Sequence, residues 1–132
     1  MFKDLLEKLK KLNLPKGKFA IFGSGPMIVR GLKESGNIDL VVTRDVFEEF
    51  RDKEGWSAKL ETCDGLQNGD IEMYYEWGPG EWDVEKLINE AEIIDGLSFA
   101  RMEEVLRWKK VYNREKDQKD IELIEKYLEN KK

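Results

Sequence analysis

Phe2, Leu5, Leu6, Leu9 and Leu12 recur at three- and four-residue intervals, which predicts a surface helix over residues 3–12. "LPKG" ends it. "KFAIFG" (18–23) is short, apolar and β-prone, and reads as a buried strand. Gly23-Ser24-Gly25 turns the chain. Pro26 suits the first turn of a new helix, where its missing N–H costs nothing. That helix is predicted to run to about Ser35 and to stop at Gly36. "IDLVVT" (38–43) is the next strand, and "RDVFEEFRDK" (44–53) a helix with Val46, Phe47 and Phe50 inward. "GWSAKLET" (55–62) predicts a strand, "CDGLQNGD" (63–70) a turn, and "DIEMYYEW" (70–77) an alternating strand broken by "GPG". "WDVEKLINEAE" (82–92) is helical with Asp83 as its cap. "IIDGLSFA" (93–100) is a short extended piece. Residues 102–112 and 117–129 form two helices joined by "NREK".

Helices alternating with strands predict an α/β (α+β) fold: a small mixed sheet flanked by helices, with two helices at the C-terminal end. The 132 residues are the length of one domain, and neither a repeat nor a linker interrupts them.

Composition narrows the chemistry. The chain is 39% charged and carries a net charge of −5, which disfavours a dedicated DNA or RNA binder. No apolar run approaches the 18 residues of a membrane span, and "MFKDLLEKLKKL" lacks the apolar core of a signal peptide. A single cysteine, Cys63, forbids an internal disulfide, so a reducing, cytoplasmic setting is expected. Histidine is absent, which removes the commonest general base and zinc ligand. Chemistry is left to carboxylates, lysine, hydroxyls or a hard metal.

Three sets of residues stand out. Gly23 and Gly25 allow backbone N–H groups to approach an anion, Ser24 adds a hydroxyl, and a helix start follows. The turn matches neither a Walker loop nor a dinucleotide fingerprint, and an ordinary strand-to-helix turn is the bland alternative. Second, strand alternation places Asn37 and Asp39 on one face, and Asp70, Glu72, Tyr74 and Glu76 on one face of a later strand. The apolar Leu40-Val41-Val42 suggests that Asp39 lies on a central strand, where an acid needs a cation or metal. Oxygen donors of this kind suit magnesium. Third, Lys109 falls within the apolar arc of its helix, while Asp117 and Asp120 fall on the inward face of the next. A Lys109–Asp117 or Lys109–Asp120 bridge pinning the two helices is one reading; Lys109 reaching a nucleotide phosphate is the other. Arg114 and Lys116 lie between them. Trp77 and Trp82 flank "GPGEW", where they either cap a core or stack on a base.

Gly23-Ser24, then Asn37-Ile38-Asp39, then Ile71-Glu72-Met73, followed by "GLSFARMEEVLRWKKVYNREKDQKDIELIEKYL", resembles the nucleotidyltransferase superfold, the polymerase-beta-like family, in its minimal single-domain form. The resemblance spans about residues 18–129. It implies Mg2+-dependent transfer of a nucleoside monophosphate from an NTP to an acceptor. Gly23 and Ser24 would hold the phosphates with Lys109. Asp39 and Glu72 would be the catalytic acids, and Asn37, Asp39, Glu72 and Asp70 the metal-ligand positions. Asn37 departs from the pattern, because an acid is expected there. A neutral amide cannot bridge two dications, and losing one preorganised electrostatic contact commonly costs about 2.7–4 kcal/mol. Asp70 is the candidate for rescue. The alternative expectation is a non-catalytic nucleotide-binding or protein-interaction module; small members of this fold occur in toxin–antitoxin pairs, so a protein partner belongs to that alternative.

Overall fold

The computed structural model describes residues 2–60 and 64–131. Its elements run α1 (Phe2–Lys10), β1 (Phe19–Phe22), α2 (Gly25–Val29), β2 (Ile38–Val42), α3 (Arg44–Arg51), β3 (Ser57–Leu60), β4 (Asp64–Asn68), β5 (Ile71–Tyr74), α4 (Val84–Asn89), β6 (Glu92–Ile94), β7 (Leu97–Phe99), α5 (Met102–Tyr112) and α6 (Gln118–Asn130), with one 3-10 turn at Glu115–Asp117. The strands form one seven-stranded sheet in the order β3-β4-β5-β2-β1-β7-β6. The β1–β2, β3–β4, β4–β5 and β6–β7 pairs are antiparallel, whereas β2–β5 and β1–β7 are parallel. The expected mixed α+β sheet is therefore present, and β2 stands at its centre.

Alternation divides β1 and β2 between two cores. Phe19, Ile21, Ile38, Leu40 and Val42 face a cluster that takes in Leu9 of α1, Val46, Phe47 and Phe50 of α3, and Ile71 and Met73 of β5. Ala20, Phe22 and Val41 face the other side, against Leu87 and Ile88 of α4 and Trp108 of α5. A third cluster, Met27, Met102, Val105 and Ile124, welds α2 to the C-terminal helix pair. With both faces covered, the central strands are apolar on both sides, and an acid there is conspicuous.

Four expectations need correction. The helix predicted from Pro26 to Ser35 ends at Val29. Gly31 takes φ +78°, its N–H bonds to the Ile28 carbonyl, and the Leu32 N–H bonds to the Met27 carbonyl. This is the Schellman arrangement, and Leu32 packs on the cluster that contains Met27. The segment predicted as a turn at 63–70 holds strand β4. Its residues look turn-like, but Leu66 is buried and its backbone is bonded on both edges, to β3 and to β5. The reversal is confined to Gly69-Asp70; Cys63 lies outside the described residues. Strand β5 stops at Tyr74 rather than Trp77. Alternation therefore lapses, and Trp77 packs on Phe22, on the face opposite Ile71 and Met73. Finally, "IIDGLSFA" is a hairpin, β6–β7, closed by Asp95 and Gly96, both at positive φ. Asp83 does cap α4, its carboxylate accepting the Lys86 N–H at 3.1 Å.

Candidate functional site

The parallel pairing of β2 with β5 sets Asp39 directly beside Glu72. Neighbouring strands lie about 4.8 Å apart, and paired residues share a face, so the two carboxylates emerge side by side. The same row continues outward to Gln67 on β4 and inward to Phe22 on β1. Phe22 leads straight into the glycine turn. Gly23 holds φ +63°, and a Cβ built there would lie 2.4 Å from Asp39 Oδ2. Glycine is thus required twice at position 23: by the left-handed backbone and by the carboxylate against it. Gly25 is also filled from below, since its Cβ would meet Ile21 Cγ2 at 2.4 Å. Ser24 begins α2, its carbonyl accepting the Met27 and Ile28 N–H groups.

Asn37 and Asp70 fare differently. Ile38 pairs with Ile71, and the Ile38 N–H bonds to the Asp70 carbonyl at 2.9 Å, so residues 37 and 70 adjoin where the strands begin. Both are exposed and lie outside β2 and β5. Among the described residues, no three or more His, Cys, Asp or Glu side chains are grouped to hold a metal ion. The hard-oxygen donors that the fold brings together are Asp39 and Glu72, with the Gln67 amide next in the row.

Lys109 is buried, as its place in the apolar arc predicts, with 4% of its surface exposed. Its Nζ bonds to Asp120 Oδ2 at 2.9 Å and to Asp117 Oδ1 at 3.4 Å. Both bridges weighed from the sequence therefore form at once. Arg114 clasps Asp117 through Nε at 2.7 Å and a terminal nitrogen at 3.0 Å, and its backbone N–H adds a third bond at 3.1 Å. Lys33, in the loop after α2, reaches Asp120 Oδ2 at 3.2 Å. Burial alone would raise the Asp117 and Asp120 carboxyls. The Arg114 hydrogen bonds and the Lys109 charge outweigh it at Asp117, and Lys109 and Lys33 do so at Asp120, so both lie below the ordinary carboxylate range.

This network walls a cavity of about 290 Å³ that also takes in Ser24, Asp39 and Trp108. Five cationic side chains, Lys33, Lys109, Arg114, Lys116 and Lys119, line it against three aspartates, Asp39, Asp117 and Asp120. The surplus is positive in a chain whose net charge is −5. Lys116 and Lys119 are exposed and make no ion pair among the described residues. Such a concentration of charge attracts anions against the field of the whole molecule. Glu72 lies one strand beyond Asp39, outside the cavity wall.

Trp77 and Trp82 are half-buried and pack against the second core cluster. Trp77 packs on Phe22 and Trp108, with ring centroids 4.8 and 5.3 Å away. Trp82 lies beneath the Arg107 guanidinium and donates Nε1–H to the Pro79 carbonyl. Sequence reasoning missed three contributors to the site: Lys33, Lys119 and Gln67. Lys33 and Gln67 lie outside every motif and Lys119 falls between the two aspartates of the C-terminal one, so only the register of β4 and the docking of α6 show where they stand.

No family model, curated protein or solved structure matches the chain. Among the described residues, no helix is long and apolar enough to cross a membrane.

Proposed function

We propose that this protein binds a nucleoside triphosphate together with a divalent cation, in the manner of the nucleotidyltransferase superfold, and transfers the nucleoside monophosphate slowly. The observation that carries this reading is Asp39: it is paired with Glu72 on one side and pressed against the Gly23 backbone on the other. Asp39 thereby joins the Gly23-Ser24 turn to the acid pair, which supports reading them as one site. The cationic cavity opening on Ser24 and Asp39 supplies room and charge for a polyphosphate. Asp39 and Glu72 fit one Mg2+, which when bound would draw charge from the phosphates. Among the described residues no third carboxylate is grouped with this pair for a second dication: Asn37 is neutral and Asp70 sits in the turn before β5.

A second reading, a non-catalytic nucleotide-binding or interaction module, rests on that same shortfall and on Lys109, whose charge is already met by two aspartates.

Calorimetric titration with ATP, GTP, CTP and UTP, with and without Mg2+, tests both readings. Wild type is expected to bind at least one NTP only when Mg2+ is present, and Asp39→Asn to abolish binding. Asn37→Asp is expected to tighten binding and to raise pyrophosphate release. Binding by wild type with no pyrophosphate from either protein favours the module. No binding by either protein refutes the nucleotide reading altogether.

A further inference from the structure

Tyr74 is absorbed by neither motif nor cavity. Its hydroxyl donates to Glu72 Oε1 at 2.6 Å. The two residues are adjacent on one face of β5, and the contact needs the ring to lie along the sheet rather than stand away from it. Two features enforce that pose. Gly65 is the cross-strand partner of Tyr74 on β4, and a Cβ there would meet Tyr74 Cε1 at 2.5 Å and Cδ1 at 2.9 Å. The ring occupies the space that any other residue at 65 would fill. On its other side it meets Trp77 edge-on, with centroids 5.6 Å apart. The ring is held between a reserved glycine and a half-buried tryptophan, and its hydroxyl meets the carboxylate beside Asp39.

We infer that Tyr74 is a positioning residue: it holds the Glu72 carboxylate in one orientation for a divalent cation shared with Asp39, and Gly65 exists to let it do so. The inference rests on the cation-binding reading above and deepens it. A glutamate has three side-chain torsions, and a hydroxyl fixed by packing removes much of that freedom before a ligand arrives. Partners that orient metal ligands typically contribute 10–100-fold to affinity.

The test is Mn2+ binding to the full chain, followed by the paramagnetic resonance of free Mn2+, with melting temperature measured in parallel. Wild type is expected to bind, and Asp39→Asn to lose binding. Tyr74→Phe keeps the ring over Gly65 and is expected to raise the Mn2+ Kd about 10-fold or more, with melting nearly unchanged. Gly65→Ala keeps the hydroxyl but displaces the ring, and is expected to weaken Mn2+ comparably. In the Tyr74→Phe background Gly65→Ala should add no further loss of affinity, which a merely structural role for Tyr74 would not produce. If Asp39→Asn loses Mn2+ while Tyr74→Phe binds as wild type, the positioning role is overturned and the cation reading stands. If wild type binds no Mn2+, both fall together.

Discussion

Gly23 carries more constraint than any other single position near the site. Its φ of +63° disfavours a β-carbon on conformational grounds, and Asp39 Oδ2 opposes one on steric grounds. Left-handed strain at a non-glycine residue costs on the order of 1–3 kcal/mol. Gly23→Ala is therefore expected to lower stability by about that amount, read by urea denaturation, and to push the Asp39 carboxylate aside. The second effect separates Gly23 from ordinary turn glycines: Mg2+-dependent nucleotide binding should weaken even under conditions where the variant is fully folded. At Gly31, which also has positive φ, a Cβ would meet nothing within 4 Å. Gly31→Ala should share the strain and leave binding intact.

At the scale of elements, the α5–α6 pair is held by charge as well as by apolar packing. Lys109 enters from α5; Asp117 and Asp120 meet it from the 3-10 turn and the first turn of α6; Lys33 brings in the loop that follows α2. Removing one member of a buried pair leaves a charge poorly compensated, typically at a cost of 3–5 kcal/mol. Asp120→Ala is expected to destabilise by about 3 kcal/mol in chemical denaturation, and an unchanged midpoint would refute the role of this network. The pH dependence has a definite sign. Asp117 and Asp120 have lowered carboxyl pKa values in the folded state, so their stabilisation is complete above the unfolded value of about 3.9 and is lost as pH falls through the lower folded values. Glu92 behaves alike: burial opposes its charge, but the Arg30 guanidinium, bonded at 2.5 Å, holds it down. Melting temperatures should be flat from pH 7 to about 5 and fall below about 4. The gap between wild type and Asp120→Asn should close over that same acid range.

For the molecule as a whole, β1 and β2 couple the cores. Each strand contributes side chains to both faces, and α2, which follows β1 directly, reaches the third cluster through Met27. Thermal unfolding is expected to be one transition, coincident by near- and far-ultraviolet circular dichroism. A ligand that binds only the folded state raises stability by mass action, by about 2.7 kcal/mol at a hundred times its Kd. An NTP with Mg2+ should therefore raise the melting temperature where the NTP alone does little. Added salt should weaken that gain, since two exposed lysines at the cavity mouth act through solvent.

Much of this architecture was legible in the order of residues, because amphipathic periodicity and turn chemistry are local properties. The helices α1, α3, α4, α5 and α6, the strands β1, β2 and β3, the centrality of Asp39 and the inward lysine at 109 all follow from patterns within a dozen residues. Strand β4 does not, because "DGLQN" has the composition of a turn and becomes a strand only through backbone bonds to two neighbours. The early end of α2 followed from a glycine at 31 that competes with one at 36, a choice settled by where Leu32 could be buried. The adjacency of Asp39 and Glu72, the carboxylate against Gly23, the tyrosine over Gly65 and the convergence of Lys33 with Asp120 all join residues distant in the chain. Local sequence determined which elements form and which chemical groups they carry. Register and docking decided which of those groups meet, because pairing across a sheet depends on burying both its faces at once, and no single segment holds that information.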